Sequence, residues 1–198
     1  MAITNNNGIS SFLTSVKNGV RPNLFEVTFA FPSGVDATAL NLTSHLCKAA
    51  ALPASNLGVI EVPYRGRVVK IAGDRTFDTW TATFINDKDF KVREAFENWM
   101  QKINYHERNT ADYYVPDSGA NGYLADLVVK QLDRQGSGAN DGAQLATYKL
   151  WGCFPTNISQ IDLAYDSNDQ IEDFTVEFQL QYWTRGAGSN ETDKVIGQ

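Results

Sequence analysis

Near its C-terminal end the chain reads Asp173-Phe174-Thr175-Val176-Glu177-Phe178-Gln179-Leu180-Gln181-Tyr182. Every second residue is apolar: Phe174, Val176, Phe178, Leu180 and Tyr182 fall on one side of an extended backbone. Asp173, Thr175, Glu177, Gln179 and Gln181 fall on the other. A period of two over ten residues predicts a strand with one face in a core and the other wet. Strands of this kind belong to antiparallel sheets packed face to face, as a sandwich or barrel.

Similar signals run through the chain. In residues 23–31, Phe25, Val27, Phe29 and Phe31 alternate with Leu24, Glu26, Thr28 and Ala30. In residues 79–85, Trp80, Ala82 and Phe84 oppose Thr79, Thr81 and Thr83. Strands are also expected at 42–50, ended by Pro53, and at 124–134 and 144–151 around the Gly/Ser/Asn-rich turn 136–142. A last hairpin is expected from 158–165 and 171–183, turning at 166–169. Within 53–76, Pro53, Gly58, Pro63, Gly66 and Gly73 punctuate two short β-prone pieces, which reads as a long extended hairpin loop.

One segment has the other period. Val92, Phe96, Trp99, Met100 and Ile103 recur at helical spacing, which predicts one main helix over 90–103 packed on the sandwich. Asp87 and Asp89 stand where a cap or first-turn acid belongs. The domain is therefore expected at 21–184. An N-terminal arm at 1–20 carries one apolar cluster, Ile9, Phe12, Leu13 and Val16, and a polar tail runs from 185 to 198. Residues 104–122 show no period and read as a long surface loop.

The 198 residues suit one domain, and the 42% apolar content suffices for a core. No apolar stretch approaches the roughly 20 residues that span a bilayer. The polar start from Met1 to Asn7 is unlike a secretory signal, so folding in the cytoplasm is expected. The net charge of -6 opposes tight, sequence-independent binding of nucleic acid. The two cysteines, Cys47 and Cys153, read as reduced core residues, since neither lies in a CxxC pair and the two histidines are far apart. The Gly136-Ser137-Gly138 turn precedes a strand, whereas a phosphate cradle needs a helix N-terminus. Asp166, Asn168 and Gln170 begin like a calcium loop, but its obligatory glycine is replaced by Ile171. No catalytic constellation, metal set or cofactor motif emerges, and no enzyme is expected.

Charge is unevenly spread. Between Tyr64 and Arg75 it is mostly basic: Arg65, Arg67, Lys70, Asp74 and Arg75. Between Gln160 and Trp183 it is wholly acidic: Asp162, Asp166, Asp169, Glu172, Asp173 and Glu177. Such asymmetry suits head-to-tail contact between identical subunits, which grows open-ended assemblies.

Several stretches in order resemble the tail tube proteins of contractile-tailed bacteriophages. They are Arg21-Pro22-Asn23-Leu24-Phe25-Glu26-Val27, Cys47-Lys48-Ala49 with Ala51-Leu52-Pro53, and Ala72-Gly73-Asp74-Arg75-Thr76-Phe77-Asp78-Thr79-Trp80. Trp151-Gly152-Cys153-Phe154-Pro155-Thr156-Asn157 follows, then Tyr165-Asp166-Ser167-Asn168 ahead of Phe174-Thr175-Val176. The arm, the 104–122 loop and the tail look longer than that family's compact form. The resemblance implies a β-sandwich subunit of hexameric rings, stacked head to tail into a hollow tube inside a contractile sheath. It also implies baseplate and tail terminator partners at the ends, viral DNA passing through the lumen without specific binding, and a place in the virion tail after assembly in the host cytoplasm. A tube subunit of a related secretion-type injection system, or a small β-barrel ligand-binding module, are the alternatives.

Two sets of site residues follow. Pro53, Gly58, Tyr64, Arg65, Gly66, Arg67, Lys70, Asp74 and Arg75 are expected in an inter-ring assembly loop, the matching loop of the family reaching the next ring. Thr79, Thr81, Thr83, Asp173, Thr175, Glu177 and Gln179 are expected to face the lumen, where acidic and small polar groups let DNA slide.

Overall fold

The computed structural model describes residues 9–16, 19–33, 35, 38–118, 122–134, 144–166 and 168–186. Its elements in chain order are α1 (Ile9–Val16), β1 (Phe25–Phe29), α2 (Thr38–Leu46), β2 (Cys47–Ala50), β3 (Asn56–Tyr64) and β4 (Arg67–Thr76). After these come β5 (Trp80–Ile85), α3 (Lys91–Ile103), β6 (Ala125–Leu132), β7 (Gln144–Ile158), β8 (Asp173–Gln179) and β9 (Tyr182–Gly186).

All the strands except β3 and β4 form an antiparallel sandwich whose two layers share the long strand β7. Its first half pairs with β6 and β9, and β6 pairs with β1. Its second half pairs with β8, and the order continues to β5 and β2. The strand turns between layers at Gly152, whose φ is +61°. A side chain there is disfavoured twice: by the left-handed backbone and by Gln181 Cγ, 2.8 Å from where a Cβ would stand. The partner strand turns at the same place, with Gln181 N–H donating to Trp151 O at 3.1 Å.

This corner alters the expected alternation. Leu180 and Cys153 are inside, but the next inward residues are Trp183 and Leu150, three positions away. Tyr182 therefore points outward and stacks on Trp151, so the single strand expected over 171–183 is instead β8 and β9.

The core joins both layers and the helix. The Phe29 ring on β1 lies 5.3 Å from Phe84 on β5, 6.0 Å from Phe178 on β8 and 6.1 Å from Phe96 on α3, measured between centroids. Of the expected stripe, Val92, Phe96 and Trp99 are fully buried, while Met100 and Ile103 are half-buried; Ala95 joins them inside. Trp99 Nε1 donates to Tyr123 O at 2.9 Å. The helix starts at Lys91, one residue later than expected. Phe90 takes a left-handed conformation, and Asp87 accepts from the Lys91 and Val92 amides at 3.3 and 3.4 Å.

Two further expectations are corrected and a third is refined. Residues 42–46 are helical: Leu42 and Leu46 at i, i+4 spacing pack on the core beside buried Thr43, and only Cys47–Ala50 runs as a strand against β5. Residues 158–165 do not form a strand. Ile158, opposite Val176, ends β7; Ser159 N–H still donates to Thr175 O at 2.8 Å, and beyond it Ile161, Leu163 and Tyr165 pair with no strand among the described residues. The 104–122 segment is anchored: Tyr113 is buried, its hydroxyl donates to Ser33 O, and its N–H donates to Lys102 O at 3.0 Å. The 136–142 turn, and residues 187–198 of the tail, lie outside the described residues.

Candidate assembly surfaces

The segment expected as a hairpin is a two-stranded ribbon, β3 paired with β4 from Asn56↔Thr76 to Tyr64↔Arg67, and it pairs with no other strand among the described residues. Arg65 and Gly66 close it with φ of 45° and 78°. Positive φ at both central residues marks a I′ turn, whose twist matches that of the strands it joins. Gly58 sits in a bulge between Leu57 and Val59. Pro53 precedes the ribbon; Tyr64, Arg65, Gly66 and Arg67 form its tip; Lys70, Asp74 and Arg75 lie along the returning strand.

The register sorts the ribbon's side chains into two faces. Ile60, Val62, Tyr64, Arg67, Val69 and Ile71 share one. Val59, Glu61, Pro63, Val68, Lys70 and Ala72 share the other, where Lys70 Nζ lies 3.7 Å from Glu61 Oε1. Val59, Ile60, Val62, Tyr64, Val68, Val69 and Ile71 are each 42–61% exposed. An isolated two-stranded ribbon is at best marginally stable in water, and a contiguous exposed apolar patch marks an interaction surface. Among the described residues, Arg65, Arg67 and Arg75 form no ion pair.

The second expected surface is the outer face of the β8–β5–β2 layer. Register places Thr81 opposite Glu177, Thr83 opposite Thr175 and Ile85 opposite Asp173. The Thr83 and Thr175 hydroxyls are 3.1 Å apart, and Lys48 pairs with Asp173. Thr81, Thr83, Asp173, Thr175 and Glu177 thus share one polar face. Gln179 ends β8 in the same alternation, and Thr79 lies just before β5 begins. The face also carries Lys48, so its acidity is partly neutralised. The layer has two edges with no partner strand among the described residues, β2 and the second half of β7. Pro155 sits in the latter, where a missing amide disrupts no ladder.

The sequence marked the acidic run at 160–183 but not the groove it forms, and a second surface escaped it. Residues 159–165 and 170–175 enclose a groove of about 740 Å³. Its walls include Asp162 and Glu172 beside Leu163, Tyr165 and Ile171, three apolar side chains that are largely exposed. Large apolar residues between acids in a turn were the available signal. On the outside of the other layer, Lys149 Nζ lies 3.4 Å from the centre of the Trp151 ring, itself stacked on Tyr182.

Among the described residues, no group of three or more His, Cys, Asp or Glu side chains is placed to hold a metal ion. Burial pushes both thiols, Cys47 and Cys153, up to about 12.

Comparison with known proteins agrees with this anatomy. The chain is 34% identical to the tail tube protein of Enterobacteria phage T4 over 163 residues, 82% of this chain and 90% of that one. It is 33% identical to the tail tube protein of Serratia phage KSP90 over 162 residues, 80% and 84% of the two chains. In fold it is similar to a chain of the anti-feeding prophage baseplate, with a TM-score of 0.58 at 13% identity, covering 83% of this chain and 93% of the other. The phage tail tube protein profile matches residues 20–186, and the chain belongs to that family.

Proposed function

We propose that this chain is the repeating subunit of a hollow phage tail tube: copies close into hexameric rings, and the rings stack head to tail inside a contractile sheath. The bore conducts the viral genome into the host cell. Sheath protein covers the outside, baseplate and terminator proteins hold the ends, and assembly takes place in the host cytoplasm. The chain acts by self-association, without catalysis or cofactor.

The ribbon Asn56–Thr76 carries this reading. It exposes aliphatic side chains on both faces and pairs with no other strand among the described residues. Burial against a neighbour removes that apolar surface from water, worth roughly 25 cal/mol per Å². The polar outer face of the β8–β5–β2 layer supports a bore lined by Thr81, Thr83, Thr175 and Glu177. Its two free edges support lateral closure, because pairing around a ring removes exposed edges.

The test is to shorten the ribbon. Val59 faces Ala72 in the ladder, so replacing residues 60–71 by Asn-Gly closes a short hairpin and leaves the sandwich intact. The expected result is a folded subunit that forms no tubes in negative-stain micrographs. Tubes of normal length and yield would refute the assignment.

A further inference from the structure

We propose that the groove enclosed by residues 159–165 and 170–175 is the receptor for the ribbon tip of a second copy of this chain. The proposal rests on the ribbon being an assembly element and names where it lands.

The placement comes from the register of β5 and β8. Trp80, where β5 begins, pairs with Phe178, and Ile85, where it ends, pairs with Asp173. The ribbon enters β5 through the three residues after Thr76, so it leaves the layer at the Trp80–Phe178 end. The grooved segment joins Ile158 to Asp173 and so caps the opposite end, where Asn86 N–H donates to Glu172 O at 2.9 Å. The ribbon's base and the groove are thus separated by the length of the layer, roughly 20 Å for six residues of strand, and the nine residues of β3 carry the tip up to about 30 Å from that base. A contact between unlike ends of identical subunits leaves tips free at one end of a stack and grooves free at the other, so the stack is polar and stays open to further rings.

The chemistry of the two ends is complementary. The tip presents Tyr64, Arg65 and Arg67, with both guanidiniums outside any ion pair among the described residues. The groove presents Asp162 and Glu172, which form no ion pair among the described residues and accept from uncharged groups, Gln160 Nε2 at 3.2 Å and Asn86 Nδ2 at 3.0 Å. Between them stand Leu163, Tyr165 and Ile171, whose exposed apolar surface suits the Tyr64 ring and the ribbon's aliphatic face. Guanidinium–carboxylate pairs are the geometry in which arginine binds best, and at such an interface opposite charge fixes register as well as affinity.

The test is a charge swap in the full-length chain, read as the critical concentration for tube formation by sedimentation and negative stain. Arg65→Glu with Arg67→Glu, and separately Asp162→Arg with Glu172→Arg, should each raise that concentration about tenfold or more, because like charges then face each other. The chain carrying all four substitutions should return to within about threefold of the parent, the opposite charges being restored. If the groove reversal assembles like the parent while the ribbon-shortened chain does not, the ribbon keeps its role and the groove loses it. If the ribbon-shortened chain assembles normally, both readings fall. Should circular dichroism show the groove reversal unfolded, Arg65→Cys combined with Leu163→Cys replaces it. Oxidation of its tubes should give a ladder of covalent multimers, absent with either cysteine alone, and the lack of a ladder would overturn the proposal.

Discussion

Trp99 is the side chain whose removal tests the packing most directly. It is fully buried on α3, with ring centroids 5.7 Å from Phe31 and 6.3 Å from Phe178, and its indole N–H donates to Tyr123 O at 2.9 Å. Truncation to alanine empties the volume between helix and sandwich, which costs about 3–5 kcal/mol. It also strips the Tyr123 carbonyl of its donor, worth about 1 kcal/mol because Tyr123 is only half-buried and water can reach its surroundings. The total for Trp99→Ala is about 4–6 kcal/mol, a fall in Tm of roughly 10–20 °C for a chain of this size. Trp99→Phe keeps most of the ring and loses the N–H, so its cost should be well under half of that. Both are measured by urea unfolding at concentrations below tube formation, since assembly stabilises the folded subunit by mass action. A cost below about 1.5 kcal/mol for the alanine variant, within the range of ordinary substitutions, would refute the helix as a core element. Equal costs for alanine and phenylalanine would refute the division between packing and hydrogen bond.

Gly152→Ala should destabilise the subunit by about 1–2 kcal/mol, the cost of a left-handed residue with a Cβ, and Gly152→Val by more; denaturant midpoints check both, and a neutral alanine would mean that the corner of β7 is not conformationally fixed. The native thiols should react slowly with maleimide at neutral pH, because burial holds Cys47 and Cys153 at about 12. Their folded values lie above the unfolded one, so the stability they contribute is complete below the unfolded thiol range and is lost as pH rises from about 9 towards 12. That quiet background makes Thr175→Cys readable: a maleimide too bulky for the bore should label monomers and spare intact tubes, and free labelling of tubes would place this face on the exterior.

How much of this was legible in the sequence depended on the range of the interaction. The alternation at 173–180 and at 80–85 and the helical stripe at Val92, Phe96 and Trp99 are local periods set by backbone geometry, and all reappear in the fold. So does the ribbon, because Gly66 in a two-residue turn between β-prone runs is a short-range signal. The ordered stretches from Arg21 to Val176 likewise pointed to the family to which the chain belongs.

Other features needed the third dimension. Residues 158–165 alternate like a strand, yet beyond Ser159 no strand among the described residues pairs with them; pairing is a property of two segments, and one segment cannot report it. Residues 42–46 carry β-prone and helical signals together, and the decision falls to the core surface that Leu42 and Leu46 cover. Tyr182 points outward because β7 and its partner turn a corner together at Gly152 and Gln181, a coupling across thirty residues of chain. The charges of tip and groove were plain in the composition of their segments. That the ribbon's base and the groove stand at opposite ends of one layer follows only from the antiparallel register of β5 and β8, since strand order and direction are fixed by which backbones hydrogen-bond, not by the residues of either strand alone.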